Sequence, residues 1–207
     1  MPPDGDADSP ELRAALTKLL AAVAEEARLR KRPTVERARR WQSEMMRGLR
    51  VDPKYANSKY KGTFRGEPGL EWIQVRVGEH YGVAAEDVSV ALAEFERRLQ
   101  QAVAYLDNSI PPDTDPDGDQ VTAIVRVCAW AHAEWVRIHP FANGNGRTAR
   151  LWANALAMRY GLPPFVRLRP RPDGRYGGVS EKAMRGDWPP TATLFEALLG
   201  DFLEGFE

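Results

Sequence analysis

A single cysteine, Cys128, stands among 207 residues, so no intramolecular disulfide can form, and no Cys/His cluster has the spacing of a structural zinc site. No apolar run approaches the roughly 20 residues of a membrane-spanning helix. The acidic, proline-bearing start lacks the basic and apolar regions of a secretory leader. Net charge is missing too: 29 basic residues cancel 29 acidic ones, so no global field draws the chain to nucleic acid or an anionic membrane. These absences lead us to expect a protein of the reducing cytoplasm, with neither membrane nor nucleic acid as a partner. Specialised secretion, which leaves no such mark, stays open. What is present, 43% apolar and 9% aromatic residues, suffices for a packed core and excludes wholesale disorder.

The first ten residues hold three Asp and three Pro and read as a disordered tail, residues 1–10. Leu12, Leu16, Leu19, Val23 and Ala27 then recur at helical spacing, and Pro33 ends that helix. Thr34 can cap a second, with Val35, Ala38, Trp41, Met45 and Leu49 on one face, stopped by Pro53. Residues 11–53 are thus expected to be two N-terminal helices and residues 54–207 the main domain. From Tyr55 to Gly82, Gly62, Gly66, Gly69 and Gly78 punctuate short alternations, the pattern of an irregular loop or hairpin. Helical spacing returns in Val88, Ala91, Phe95, Leu99, Ala102 and Leu106, and again in Ile124, Cys128, Ala131, Trp135 and Ile138, which halts at His139-Pro140. Further helices are predicted from about Gly146 to Tyr160 and from about Thr193 to Leu203. The fold class is all-α with one small β-like element.

Between two of these helices lies His139-Pro-Phe-Ala-Asn-Gly-Asn-Gly-Arg-Thr-Ala-Arg150. Gly144 and Gly146 allow a tight turn with no Cβ to block a ligand. The helix that follows points its N–H groups and the positive end of its dipole outward, which makes an anion nest. Arg147 and Arg150, three apart on the first turn of that helix, can reach the mouth of the nest and bind phosphates bidentately, which suggests more than one phosphate. His139 sits across the loop, where an imidazole could take a proton from an incoming hydroxyl. Pro140 and Phe141 would hold it, one by fixing φ and the other by burying a ring under the loop.

The string HPFxxGNGRxxR resembles the signature of the Fic/Doc family, and the wider similarity runs from about Lys59 to Leu203. The resemblance implies a Fic-type helical bundle with a β-hairpin-like flap at about residues 59–80. It also implies AMP transfer from ATP to Ser, Thr or Tyr hydroxyls of a protein target, with pyrophosphate leaving. Carried over by position, His139 becomes the general base, Gly144, Asn145, Gly146 and Arg147 hold the α- and β-phosphates, and Arg150 holds the terminal one. Gly62, Phe64 and Arg65 resemble the start of the flap that aligns the target side chain. Asn143 stands where the family usually carries Asp or Glu for Mg²⁺; it offers a carbonyl oxygen but no charge. The alternatives are transfer of another nucleotide or a phosphoryl group on the same scaffold, or a nucleotide-binding module without turnover.

Many relatives carry a restraining [ST]xxxE[GN] helix. The nearest string here, Ser43 to Gly48, has Arg47 in place of Glu, where it is expected to repel Arg150 rather than pair with it. A separate, antitoxin-like inhibitory partner is then possible. His132, seven residues before His139, is expected to be structural. The loop from Asp113 to Asp119 imitates the start of a calcium loop but has Ile124 where a bidentate Glu belongs, so a solvated loop with Asp119 capping a helix is expected. Residues 28–50 hold nine Lys/Arg against two Glu, read as outer helix faces. Arg167, Arg169, Arg171 and Arg175 either border the nucleotide or face solvent.

Overall fold

Ser9 opens the first helix by accepting from Leu12 N–H through its hydroxyl, and Pro10 occupies the first turn, where a missing N–H costs nothing. The computed structural model describes residues 9–47, 60–172 and 174–205. Pro10, counted in the expected tail, is helical, and residues 1–8 of that tail lie outside the described residues, as do the predicted helix end at Leu49 to Pro53 and the motif residue Gly48.

Seven α-helices are present among the described residues: α1 (Pro10–Arg28), α2 (Val35–Met45), α3 (Val88–Ser109), α4 (Gly118–Ile138), α5 (Asn145–Arg159), α6 (Tyr176–Met184) and α7 (Pro189–Glu204). A two-stranded antiparallel hairpin, β1 (Arg76–Val77) and β2 (His80–Tyr81), precedes α3. The all-α expectation with one small hairpin holds. Helix α4 lies at the centre against α3, α5, α6 and α7, while α1 and α2 pack on α5.

The five residues of the α1 stripe and the five of the α4 stripe are all buried. In α3 the stripe runs through Leu92 and Val103, one position past the expected Ala91 and Ala102, because the larger side chains take the core. Helix α7 starts earlier than predicted, with Pro189 and Pro190 in its first turn. Aromatic rings tie the layers together: Trp152 meets Trp41 at 4.8 Å, Phe95 at 5.7 Å and Trp135 at 5.8 Å. Cys128 is part of this core, and burial pushes its thiol pKa up, which makes it inert.

Asp117, not Asp119, caps α4, in a reciprocal capping box with Gln120. Gly118 is consequently already helical, so the acidic loop does not wrap as a calcium site. Among the described residues no helix is long and apolar enough to cross a membrane.

Candidate active site

Helix α4 ends at His139, whose backbone turns left-handed at φ 53°, a conformation costing about 1–2 kcal/mol for a residue with a Cβ. Arg65 holds it there. Its Nε donates to His139 O at 2.7 Å and its Nη2 to Ile138 O at 2.9 Å and Val83 O at 2.7 Å, while Nη1 reaches Ile73 O at 3.2 Å. Arg65 is 1% exposed, and its guanidinium faces the negative end of the α4 dipole; burial pulls its pKa down to about 10, still protonated at neutral pH. Arg65 N–H also donates to Pro140 O at 2.7 Å, and Phe64 bridges Phe141 with ring centroids 4.8 Å apart.

Phe64 and Arg65, read from the sequence as the start of a target-aligning flap, thus lie beneath the loop as its support. Gly62 belongs to the same base: its N–H donates to Gln42 Oε1 at 2.6 Å and its carbonyl accepts from Arg39 at 2.7 Å. The segment at the rim of the cleft is Arg76, Val77 and Gly78, at the turn of the hairpin.

Val136 O accepts from His139 Nδ1 at 2.9 Å; since a carbonyl can only accept, Nδ1 carries the proton and Nε2 is left with the lone pair. Burial, reinforced by the Arg65 charge, lowers the ring's pKa to about 4, so His139 is neutral at physiological pH.

Gly144 caps α5 at φ 89°, a left-handed turn that favours glycine, and it brings no side chain to occupy the first-turn N–H groups. The first turn also holds no acid. Asn145 is buried and closes a ring with Phe141, accepting from its N–H at 2.8 Å and donating to its carbonyl at 2.7 Å, so both polar atoms of its side chain shape the loop. Arg147 and Arg150 are each 4% exposed and both line the cleft. Arg147 lies against Met46, with Nη2 to Sδ at 3.7 Å. Arg150 donates from Nη2 to Leu168 O at 3.0 Å and from Nη1 to the Tyr176 hydroxyl at 3.1 Å. That hydroxyl in turn meets His132 Nε2 at 2.7 Å, making a buried relay from His132 through Tyr176 to Arg150. His132 is thus structural, as expected, and burial followed by the Arg150 charge lowers its pKa to about 3.

Asn143 Oδ1, the one oxygen its side chain offers, accepts from Gly144 N–H at 2.6 Å. Its carbonyl accepts from Gln42 Nε2 at 3.1 Å. Among the described residues no Asp or Glu lines the cleft, and no group of three or more His, Cys, Asp or Glu could hold a metal. This donor set does not fit a hard divalent cation, which prefers carboxylate oxygens.

Together these residues enclose an open cleft of about 580 Å³, within the usual size of a small-molecule site. One contributor had no motif to announce it. Gln42, fully buried on α2, links Tyr60 O, Gly62 N and Asn143 O; its only sequence signal was a polar residue beside the apolar stripe. Tyr176 opens the unpredicted α6. Arg47, expected opposite Arg150, instead pairs with Glu44 at 2.6 Å on the surface, so the expected repulsion is absent.

A family model described as Fic/DOC family matches residues 33–157. Over 117 residues, 56% of this chain, the sequence is 34% identical to proteins named protein adenylyltransferase Fic from Culex quinquefasciatus and Aedes aegypti. Over 93 residues, 45% of this chain and 16% of the relative, it is 38% identical to the protein of that name from Drosophila mojavensis. The matched part is 20% of each mosquito protein, so the chain spans about a fifth of their length. A crystal structure of a Fic domain containing signaling protein from Bacteroides thetaiotaomicron superposes with a TM-score of 0.63 at 21% identity, covering 91% of this chain and 68% of that one.

Proposed function

We propose, for a chain that belongs to the Fic/DOC family, transfer of AMP from ATP to a Ser, Thr or Tyr hydroxyl of a protein. The observation that carries this reading is the state of His139: proton on Nδ1, bonded to Val136 O, and Nε2 left as acceptor on a side chain that lines the cleft. An acceptor hydroxyl approaching Nε2 gives up its proton there as its oxygen attacks the α-phosphorus. The bond from the α-phosphorus to the bridging oxygen breaks, and pyrophosphate leaves. Such a displacement needs positioning and charge neutralisation more than covalent chemistry from the protein. The uncapped N-terminus of α5 suits the phosphates nearest Gly144 and Gly146, and Arg147 and Arg150 suit the rest of the chain of phosphates and the departing charge. Asn145 acts by keeping the turn in shape. Because the cleft is bordered by the hairpin turn at Arg76 to Gly78, an extended target segment laid along it would bring its hydroxyl to His139.

Incubation with ATP labelled at the α- or the γ-phosphate tests the proposal. Label from the α position on protein, absent in His139→Ala, is expected; label from the γ position alone would replace AMP transfer by phosphorylation.

A further inference from the structure

The donor set at residue 143 leaves open what neutralises a bound triphosphate. Among the described residues five arginines line the cleft, Arg76, Arg147, Arg150, Arg169 and Arg171, and no acid does. Only Arg147 and Arg150 belong to the His139–Arg150 string. Arg169 and Arg171 come from the turn between α5 and α6, and that turn is folded to deliver them. Arg150 Nη2 holds Leu168 O, one residue before Arg169. Arg167 donates from Nε to Pro170 O at 3.0 Å and from Nη2 to Arg171 O at 3.1 Å, curling the turn so that Arg169 and Arg171 sit at the cleft wall. Arg76, from the hairpin, shares its charge with Glu79 at 2.7 Å.

Resting on the transfer reading above, we infer that Arg169 and Arg171 are phosphate ligands that take over charge neutralisation from a divalent cation, so that this site binds a nucleoside triphosphate without metal. Guanidinium groups suit this role, being always charged and matching phosphate oxygens two at a time. Asn143 is consistent with it in a second way: a carboxylate there would repel a triphosphate that no cation screens, whereas the amide oxygen is tied to Gly144 N–H and adds no charge.

The test is a calorimetric titration of the full chain with ATP, once in excess Mg²⁺ and once in EDTA. Wild-type affinity should agree between the two buffers within about threefold, and Arg169→Ala/Arg171→Ala should weaken binding in EDTA about tenfold or more, one decade in Kd. Asn143→Asp should bind poorly in EDTA and recover when Mg²⁺ is added, turning a metal-indifferent site into a metal-dependent one. Thermal melting checks that the variants fold; if the arginine variant does not, the wild-type comparison and Asn143→Asp still decide. Wild-type binding that collapses in EDTA overturns the inference and leaves AMP transfer standing, as does an arginine variant that binds normally in EDTA. No ATP binding in either buffer overturns both.

Discussion

Replacing Arg65 by Met keeps a long side chain while removing its charge and all its donors. In the native chain two of its acceptors, the carbonyls of His139 and Ile138, are fully buried, and both close the C-terminus of α4. Leaving a buried acceptor without a donor costs about 1–3 kcal/mol, so the pair contributes roughly 2–6 kcal/mol of loss. The variant no longer buries an unpaired guanidinium, whose depressed pKa reports an opposing desolvation cost, and the net destabilisation should be about 1–3 kcal/mol. The larger consequence is positional. Without the clamp only the bonds of His139 to Trp135 O and Val136 O and the backbone bond to Pro140 O are left to offset the roughly 1–2 kcal/mol that favours His139 leaving its left-handed backbone conformation. A displacement of about 1 Å at a reacting group can cost on the order of a hundredfold in rate. Urea unfolding reads the first effect, and transfer of α-labelled phosphate with ATP binding in parallel reads the second. The expected outcome is kcat down about a hundredfold with ATP Kd changed less than about threefold, because Arg147, Arg150 and the α5 N-terminus are untouched. Arg65→Lys should rescue little, since one ammonium cannot span four carbonyls. If Arg65→Met retained kcat within about threefold of wild type, Arg65 would not be what positions His139, and the reasoning would fail.

His139→Ala should abolish transfer and leave ATP binding intact; and since burial lowers the ring's pKa to about 4, the acidic limb of the wild-type rate should fall near that pH and not near 6.5. Both His132 and His139 have folded pKa values below the ordinary 6.5, so the unfolded chain takes up protons that the folded chain refuses. Their contribution to stability is full above 6.5 and is lost as pH falls toward about 4 and about 3, which urea midpoints at neutral and mildly acidic pH would read; equal midpoints would contradict it. Tyr176→Phe removes the hydroxyl between His132 and Arg150 and should cost about 1–3 kcal/mol of stability while weakening ATP binding, whereas unchanged binding would remove the relay from the site. Gly82→Ala would set a Cβ 2.7 Å from His139 Cβ and 3.1 Å from Ile138 O, overpacking worth about 1–3 kcal/mol, so transfer should fall more than ATP affinity.

The helices with uniform apolar stripes were legible residue by residue, as α1 and α4 demonstrate, because burial there depends on a period that local sequence displays. Helix α6 was missed for the opposite reason. Gly174, Gly177 and Gly178 surround its start and prolines precede it, so tertiary contacts of Tyr176, Ala183 and Met184 must outweigh poor propensity. In the site, the loop chemistry could be read from His139 to Arg150, since a glycine turn and its arginines are contiguous. The support beneath it could not. Arg65 resembles the start of a target-aligning flap by its place in a glycine-rich stretch, and it is buried because carbonyls 8, 18, 73 and 74 residues away converge on it. Gln42 reaches Asn143 across 101 residues, a pairing with no local pattern at all. The place of Asn145 in the string points to phosphate, and its two bonds to Phe141 become visible only once the turn has closed.

An intact-mass spectrum of the purified chain and a candidate target after incubation with ATP, run beside His139→Ala, tests the central claim most directly. The account predicts a gain of one AMP on a hydroxyl side chain with the wild type and none with the variant. A gain of one phosphate, or an AMP gain undiminished in His139→Ala, would contradict it.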